Sequence, residues 1–88
     1  MTPARPQCTL HGTVAGAPLT LSGTGFKPNT SYPINYFLPD GREYGTARAT
    51  NDKGELADTG YANGGSGTYS VEVLSKGKVV TTCSVVIS

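Results

Sequence analysis

The side chains able to do chemistry in this sequence are few and scattered. His11 is the only histidine, and no serine or cysteine with a carboxylate stands near it in the pattern that a nucleophile, a base and an orienting acid require. It reads as a strand residue facing solvent or a sheet edge. Six carboxylates, Asp40, Glu43, Asp52, Glu55, Asp58 and Glu72, fall in turns or on polar strand faces. General acid–base work needs two of them converging in a cleft, which a small filled core seldom offers. No residue is assigned a catalytic role, and the chain is expected to be non-enzymatic.

Two loops imitate binding motifs. Asn51-Asp52-Lys53-Gly54-Glu55 superficially resembles a calcium loop, but Lys53 intrudes on the alternating oxygen ligands that such a loop needs. It reads as a turn closed by the Asn51 side chain. Gly64-Gly65-Ser66-Gly67 precedes a strand rather than a helix and has no lysine, so it reads as a flexible connection and not a phosphate cradle. Neither a metal nor a cofactor is expected.

Sulfur offers the remaining chemistry. Cys8 and Cys83, the only cysteines, lie near opposite ends of the chain, each in an alternating apolar stretch. Two buried thiols would satisfy that pattern; a disulfide is the reading preferred. It would close a loop of about 76 residues, worth up to about 4.5 kcal/mol in the chain-entropy model, and would argue for life outside the reducing cytosol. The spacing of histidine and cysteines does not match a zinc site.

The elements that position these residues follow from composition and period. The chain has 88 residues, 12 glycines, 6 prolines and no tryptophan, so it makes one domain with many turns. Folding should hide roughly 63% of the extended chain's surface. No dozen-residue stretch carries apolar side chains at helical spacing, and almost no helix is expected. Seven basic and six acidic side chains give a formal charge of +1, without the basic stripe that a nucleic acid partner demands. No apolar run is long enough to insert in a membrane as a helix, and Met1 to Pro6 lacks the apolar core of a signal peptide. Either Met1 is the natural start, or whatever preceded it has been removed.

Residues 1–7 read as an extended, proline-punctuated arm, followed by one domain over 8–88. Gln7 to Ala15 is the first strand, with Cys8, Leu10 and Val14 inward and Gly12 marking a bulge or a switch between sheets. Leu19, Leu21 and Gly23 give the second a buried face, and Phe26 plugs the end of the core. Ser31 to Leu38 is the third strand, with Tyr32, Ile34, Tyr36 and Leu38 on one face. Pro33 restricts it to an edge or a broken start. Arg42 to Asn51 and Glu55 to Tyr61 supply two weaker strands, separated by turns at Pro39-Asp40-Gly41 and Asn51-Asp52-Lys53-Gly54. Tyr69, Val71 and Val73 alternate with polar residues in the sixth strand. A tight reversal at Ser75-Lys76-Gly77-Lys78 leads to a seventh, with Val79, Thr81, Cys83, Val85 and Ile87 on one side. Seven short antiparallel strands in two sheets make an all-β sandwich.

The segments Leu19-Thr20-Leu21-Ser22-Gly23-Thr24-Gly25-Phe26-Lys27-Pro28-Asn29 and Gly67-Thr68-Tyr69-Ser70-Val71-Glu72-Val73, with the two turns between them, resemble a bacterial or phage immunoglobulin-like domain. The resemblance implies an immunoglobulin-like β-sandwich over residues 8–88, with Tyr69 as its corner tyrosine and Val71 where antibody domains keep a core cysteine. It implies no particular activity, because this architecture hosts many functions.

The aromatic residues Phe26, Tyr32, Tyr36, Phe37, Tyr44 and Tyr61 exceed what one small core should hold. A tyrosine-bearing outer face, with Tyr32, Tyr36, Tyr44 and Tyr61, and the arm near Arg5 are therefore the expected contacts with a protein partner. The expected function is structural: a phage virion accessory domain, decorating a capsid or associated with a tail, that binds the particle surface. The expected location is the virion or an extracellular surface. A repeat of a secreted bacterial surface protein, acting as spacer or adhesin, is the alternative. A carbohydrate-binding module ranks last, because no cluster of Asn, Gln and acids is seen beside the rings.

Overall fold

A computed structural model describes residues 5–88; Met1 to Ala4 of the expected arm lie outside the described residues. Alternation of apolar and polar residues sets seven strands: β1 (Gln7–His11), β2 (Pro18–Thr24), β3 (Ser31–Phe37), β4 (Glu43–Ala49), β5 (Leu56–Tyr61), β6 (Gly67–Ser75) and β7 (Lys78–Ile87). All pair antiparallel, in a three-stranded sheet ordered β1-β2-β5 and a four-stranded sheet ordered β4-β3-β6-β7. There is no helix among the described residues. The chain is an all-β sandwich.

The core lies between the sheets. Leu10, Leu19, Leu21 and Leu56 enter from one side, and Ile34, Tyr36, Tyr69, Val71, Val73 and Ile87 from the other. Phe26 and Tyr32 close one end with their rings edge to face, 5.0 Å between centroids. Each fully buried aliphatic side chain contributes about 1.5–3 kcal/mol relative to its exposed state.

Loop length explains the placement of β4. In the constant-type immunoglobulin arrangement the fourth strand joins the sheet of the first, second and fifth. Here Pro39-Asp40-Gly41-Arg42 is so tight that Leu38 donates its N–H to the Arg42 carbonyl at 2.9 Å. β3 and β4 are thereby joined as a hairpin and must be neighbours.

Three details differ from the sequence expectation. The first strand ends at His11, because at Gly12 the chain leaves β2 and crosses toward the other sheet. Ser88 then donates to the Thr13 carbonyl (3.1 Å) while Ala15 donates to the Ser88 carbonyl (3.2 Å). Val14 is consequently 53% exposed rather than inward. The expected switch at Gly12 is present, and a side chain there would stand 2.6 Å from Ile87 Cδ1.

Second, β3 is an interior strand and not an edge, and of the two readings of Pro33 the broken start is the one observed. Pro33 is accommodated because pairing with β6 begins only at Ile34, so Pro33 faces a partner on the β4 side alone. Third, the β6–β7 ladder carries a bulge: Val73 pairs with Thr81, but Leu74 pairs with Val79. The extra residue reverses the alternation. Val80 packs half-buried on the core, and Val79 is turned out to 48% exposure. The hairpin turn itself has both Lys76 (φ 52°) and Gly77 (φ 78°) left-handed, the pair of conformations that matches strand twist.

Candidate functional site

A sandwich has two open sides where its sheets do not share hydrogen bonds, and here each is closed by different chemistry. On one side β1 and β7 face each other, and Cys8 and Cys83 form a disulfide with their Cα atoms 5.7 Å apart. The bridge spans 75 positions of sequence and joins the two sheets through the first and last strands.

On the other side β4 and β5 face each other. Asp58 of β5 is 8% exposed, because Leu56, Asp58 and Ala62 share the inward face of their segment. Its carboxylate accepts a hydrogen bond from the Tyr36 hydroxyl at 2.6 Å and an ion pair from Arg48 Nε at 3.0 Å. The Tyr44 ring lies flat on that of Tyr36, with centroids 4.9 Å apart, as their directly paired register dictates. Burial pushes the Tyr36 hydroxyl far above its ordinary value, and the hydrogen bond to Asp58 adds to the shift. Tyr44 is raised as well, by burial first and then by the Asp58 charge. Each carboxylate oxygen of Asp58 thus has a partner.

The remaining candidates are likewise committed or isolated. His11 is exposed on β1. In the Asn51–Glu55 turn, Asn51 Oδ1 accepts the N–H groups of Lys53 (3.0 Å) and Glu55 (2.9 Å), while its amide donates to Glu55 Oε1 at 2.7 Å. The oxygen that a cation would use is thereby taken. No group of three or more His, Cys, Asp or Glu able to hold a metal ion occurs among the described residues. Asp40 accepts from the Arg42 backbone N–H and, at 2.7 Å, from Arg42 Nε; the first of these bonds lowers its carboxyl below the ordinary value.

The tyrosines do not form the expected outer face. Tyr32 (6% exposed) and Tyr36 (2%) are core residues. The expectation that they meet a partner is overturned, because the inward register of β3 places both beneath the opposite sheet, with their hydroxyls satisfied by Lys27 N–H and Asp58. Tyr44 (42%) and Tyr61 (63%) are exposed, and so is Arg5. They do not form one face: Tyr44 lies over the β4–β5 side, whereas Tyr61 points outward from the three-stranded sheet. Val86, 73% exposed on β7, and Val14 add apolar surface elsewhere. A shallow hollow of about 220 Å³ over the β3–β4 ladder is lined by Asn35, Phe37, Glu43, Tyr44 and Gly45.

Tyr69, expected at a corner, makes one. Its hydroxyl donates to the Gly65 carbonyl at 2.8 Å and accepts the Gly64 N–H at 2.7 Å, which fixes the connection into β6. The buried Asp58 was not singled out by sequence. Its signal was the period-two register with Leu56, obscured by the small and polar residues around it.

No family model matches the chain, and neither a curated protein nor a solved structure matches it.

Proposed function

We propose that the chain is a non-enzymatic interaction module, an immunoglobulin-like domain that decorates a phage capsid or associates with a phage tail. The observation that carries this reading is the Cys8–Cys83 bridge between the first and last strands. A disulfide at this position fits an oxidising, extracellular environment, and it holds a small core that would otherwise be marginal. The attachment residues in this reading are Tyr61, Tyr44 and Arg5; Tyr61 is the most exposed aromatic side chain.

The test is co-sedimentation of the purified chain with particles of its source, with Tyr61→Ala and Arg5→Ala compared against the parent chain. Saturable binding weakened by either substitution supports the reading. Absence of association with any such particle, even at high protein concentration, removes it.

One observation favours the alternative of a spacer repeat from a secreted bacterial surface protein. β1 and β7 run in the same direction, since Cys8 lies beside Cys83 and Thr13 beside Ser88. The chain therefore enters the sandwich at one end and leaves at the other, as beads on a string require. Further copies of the "GxGFxPN" stretch in the same reading frame would decide for that alternative.

A further inference from the structure

We propose that Asn63 is a site of spontaneous self-modification, loss of its side-chain amide as ammonia, and that the Tyr69 hydroxyl sets its rate by holding the attacking nitrogen. The reaction needs no enzyme. The backbone nitrogen of Gly64 gives up its proton and bonds to Cγ of Asn63, and the bond from Cγ to the amide nitrogen breaks. Ammonia leaves and a five-membered succinimide ring remains. Water then opens the ring at either carbonyl, giving aspartate or isoaspartate, with no change of oxidation state.

An Asn followed by Gly is the sequence in which this attack is least hindered, because glycine has no side chain to obstruct the approach. Asn63 is exposed, and no side-chain hydrogen bond or ion pair among the described residues restrains its amide. Everything that restrains the reaction acts on the backbone. The Gly64 N–H is donated to Tyr69 Oη over 2.7 Å, which holds the proton that the nucleophile must lose. The Asn63 carbonyl accepts from Arg42 Nη2 at 2.6 Å. Gly64 is also packed against Leu38, where a side-chain carbon on the glycine would stand 2.9 Å from Leu38 Cβ and Cδ2. Rotation of the Asn63–Gly64 peptide breaks both hydrogen bonds and moves Gly64 against Leu38.

Modification is therefore coupled to opening of the corner, and its rate reports how often that corner opens. The product replaces an amide with a carboxylate, which takes the formal charge from +1 to zero. The isoaspartate form also lengthens the main chain by one carbon and draws the residue 63 carbonyl off Arg42.

The experiment holds the full chain, bridge intact, at mildly alkaline pH and follows residue 63 by peptide mass mapping. Three samples are compared: the folded parent, the parent unfolded in urea, and Tyr69→Phe checked for folding by near-ultraviolet circular dichroism. The folded parent should react at least about tenfold more slowly than the unfolded chain, the ratio reflecting the open fraction, and folded Tyr69→Phe should react several-fold faster than the parent. Equal rates for folded and unfolded parent, or a folded Tyr69→Phe no faster than the parent, overturn the proposal. Should Tyr69→Phe fail to fold, hydrogen exchange of the Gly64 amide in the parent decides. Protection supports the proposal, and exchange at the rate of a free peptide ends it.

Discussion

The Tyr36 hydroxyl and the Asp58 carboxylate meet at 2.6 Å between the two sheets, a polar contact inside a core otherwise made of aliphatic and aromatic groups. It is the counterpart of the sulfur bridge on the opposite side. Both tie one sheet to the other, one covalently and one through an acceptor shared by a tyrosine and an arginine.

Removing the acceptor should do more damage than removing the Arg48 donor. Asp58→Ala leaves the buried Tyr36 hydroxyl unpaired and should cost about 2–4 kcal/mol. Arg48→Ala should cost less, about 1–2 kcal/mol: its half-exposed guanidinium is screened by solvent, but the buried Asp58 carboxylate loses its ion-pair partner. Urea unfolding of the two variants measures both values. A larger loss for Arg48→Ala than for Asp58→Ala would contradict the arrangement described.

Alkaline pH should destabilise the fold through Tyr36. Its hydroxyl is raised above the ordinary 10.0 by burial and by the bond to Asp58, and Tyr44 shifts the same way. The unfolded chain releases these protons near 10 while the folded chain retains them. The folded state then binds more protons, so stability falls as pH rises. The contribution is fully present below about pH 10 and is lost progressively above it. Unfolding free energies from about pH 9 to about pH 11 should decline, and less steeply in Tyr36→Phe. An equal slope in both proteins would show that Tyr36 is not the group responsible.

Reduction of the Cys8–Cys83 bridge should lower stability by about 2–5 kcal/mol. Denaturation with and without a phosphine reductant reads the difference directly. A double Cys8→Ser, Cys83→Ser variant should match the reduced parent and show no further response to the reductant.

Gly12→Val should be destabilising by about 1–3 kcal/mol through overpacking. Its side chain would enter space held by Ile87 Cδ1 and Leu19 Cδ1, at 2.6 and 3.0 Å from the first added carbon. Thermal melts provide the check, and an unchanged midpoint would mean that the crossing at Gly12 is looser than the geometry states.

The sheets were legible because alternation survives in single segments: Leu19-Leu21-Gly23 and Tyr69-Val71-Val73 each show it without help from a neighbour. The corner role of Tyr69 came from its motif, and the pairing of Cys8 with Cys83 from their placement in two apolar strands. What was not legible depends on partners far away in sequence. Tyr32 and Tyr36 can lie in or out according to whether their hydroxyls find hydrogen-bond partners, and the acceptor for Tyr36 is 22 positions distant. Asp58 sits in a weakly apolar strand, where a carboxylate is expected outside. The bulge at Val73/Leu74, which exchanges Val79 for Val80, is a property of the paired ladder and leaves no mark on either strand alone.

The same-direction course of β1 and β7 has a mechanical corollary. Tension applied between Arg5 and Ser88 pulls against the sulfur link, which shunts the load past the 75-position loop that it closes. Only the few residues outside the link can be drawn out, so the oxidised domain behaves as an almost inextensible coupling. Under a steady pull the reduced domain would unravel to many times that length, and force spectroscopy under the two redox conditions should register the difference as a change in contour length.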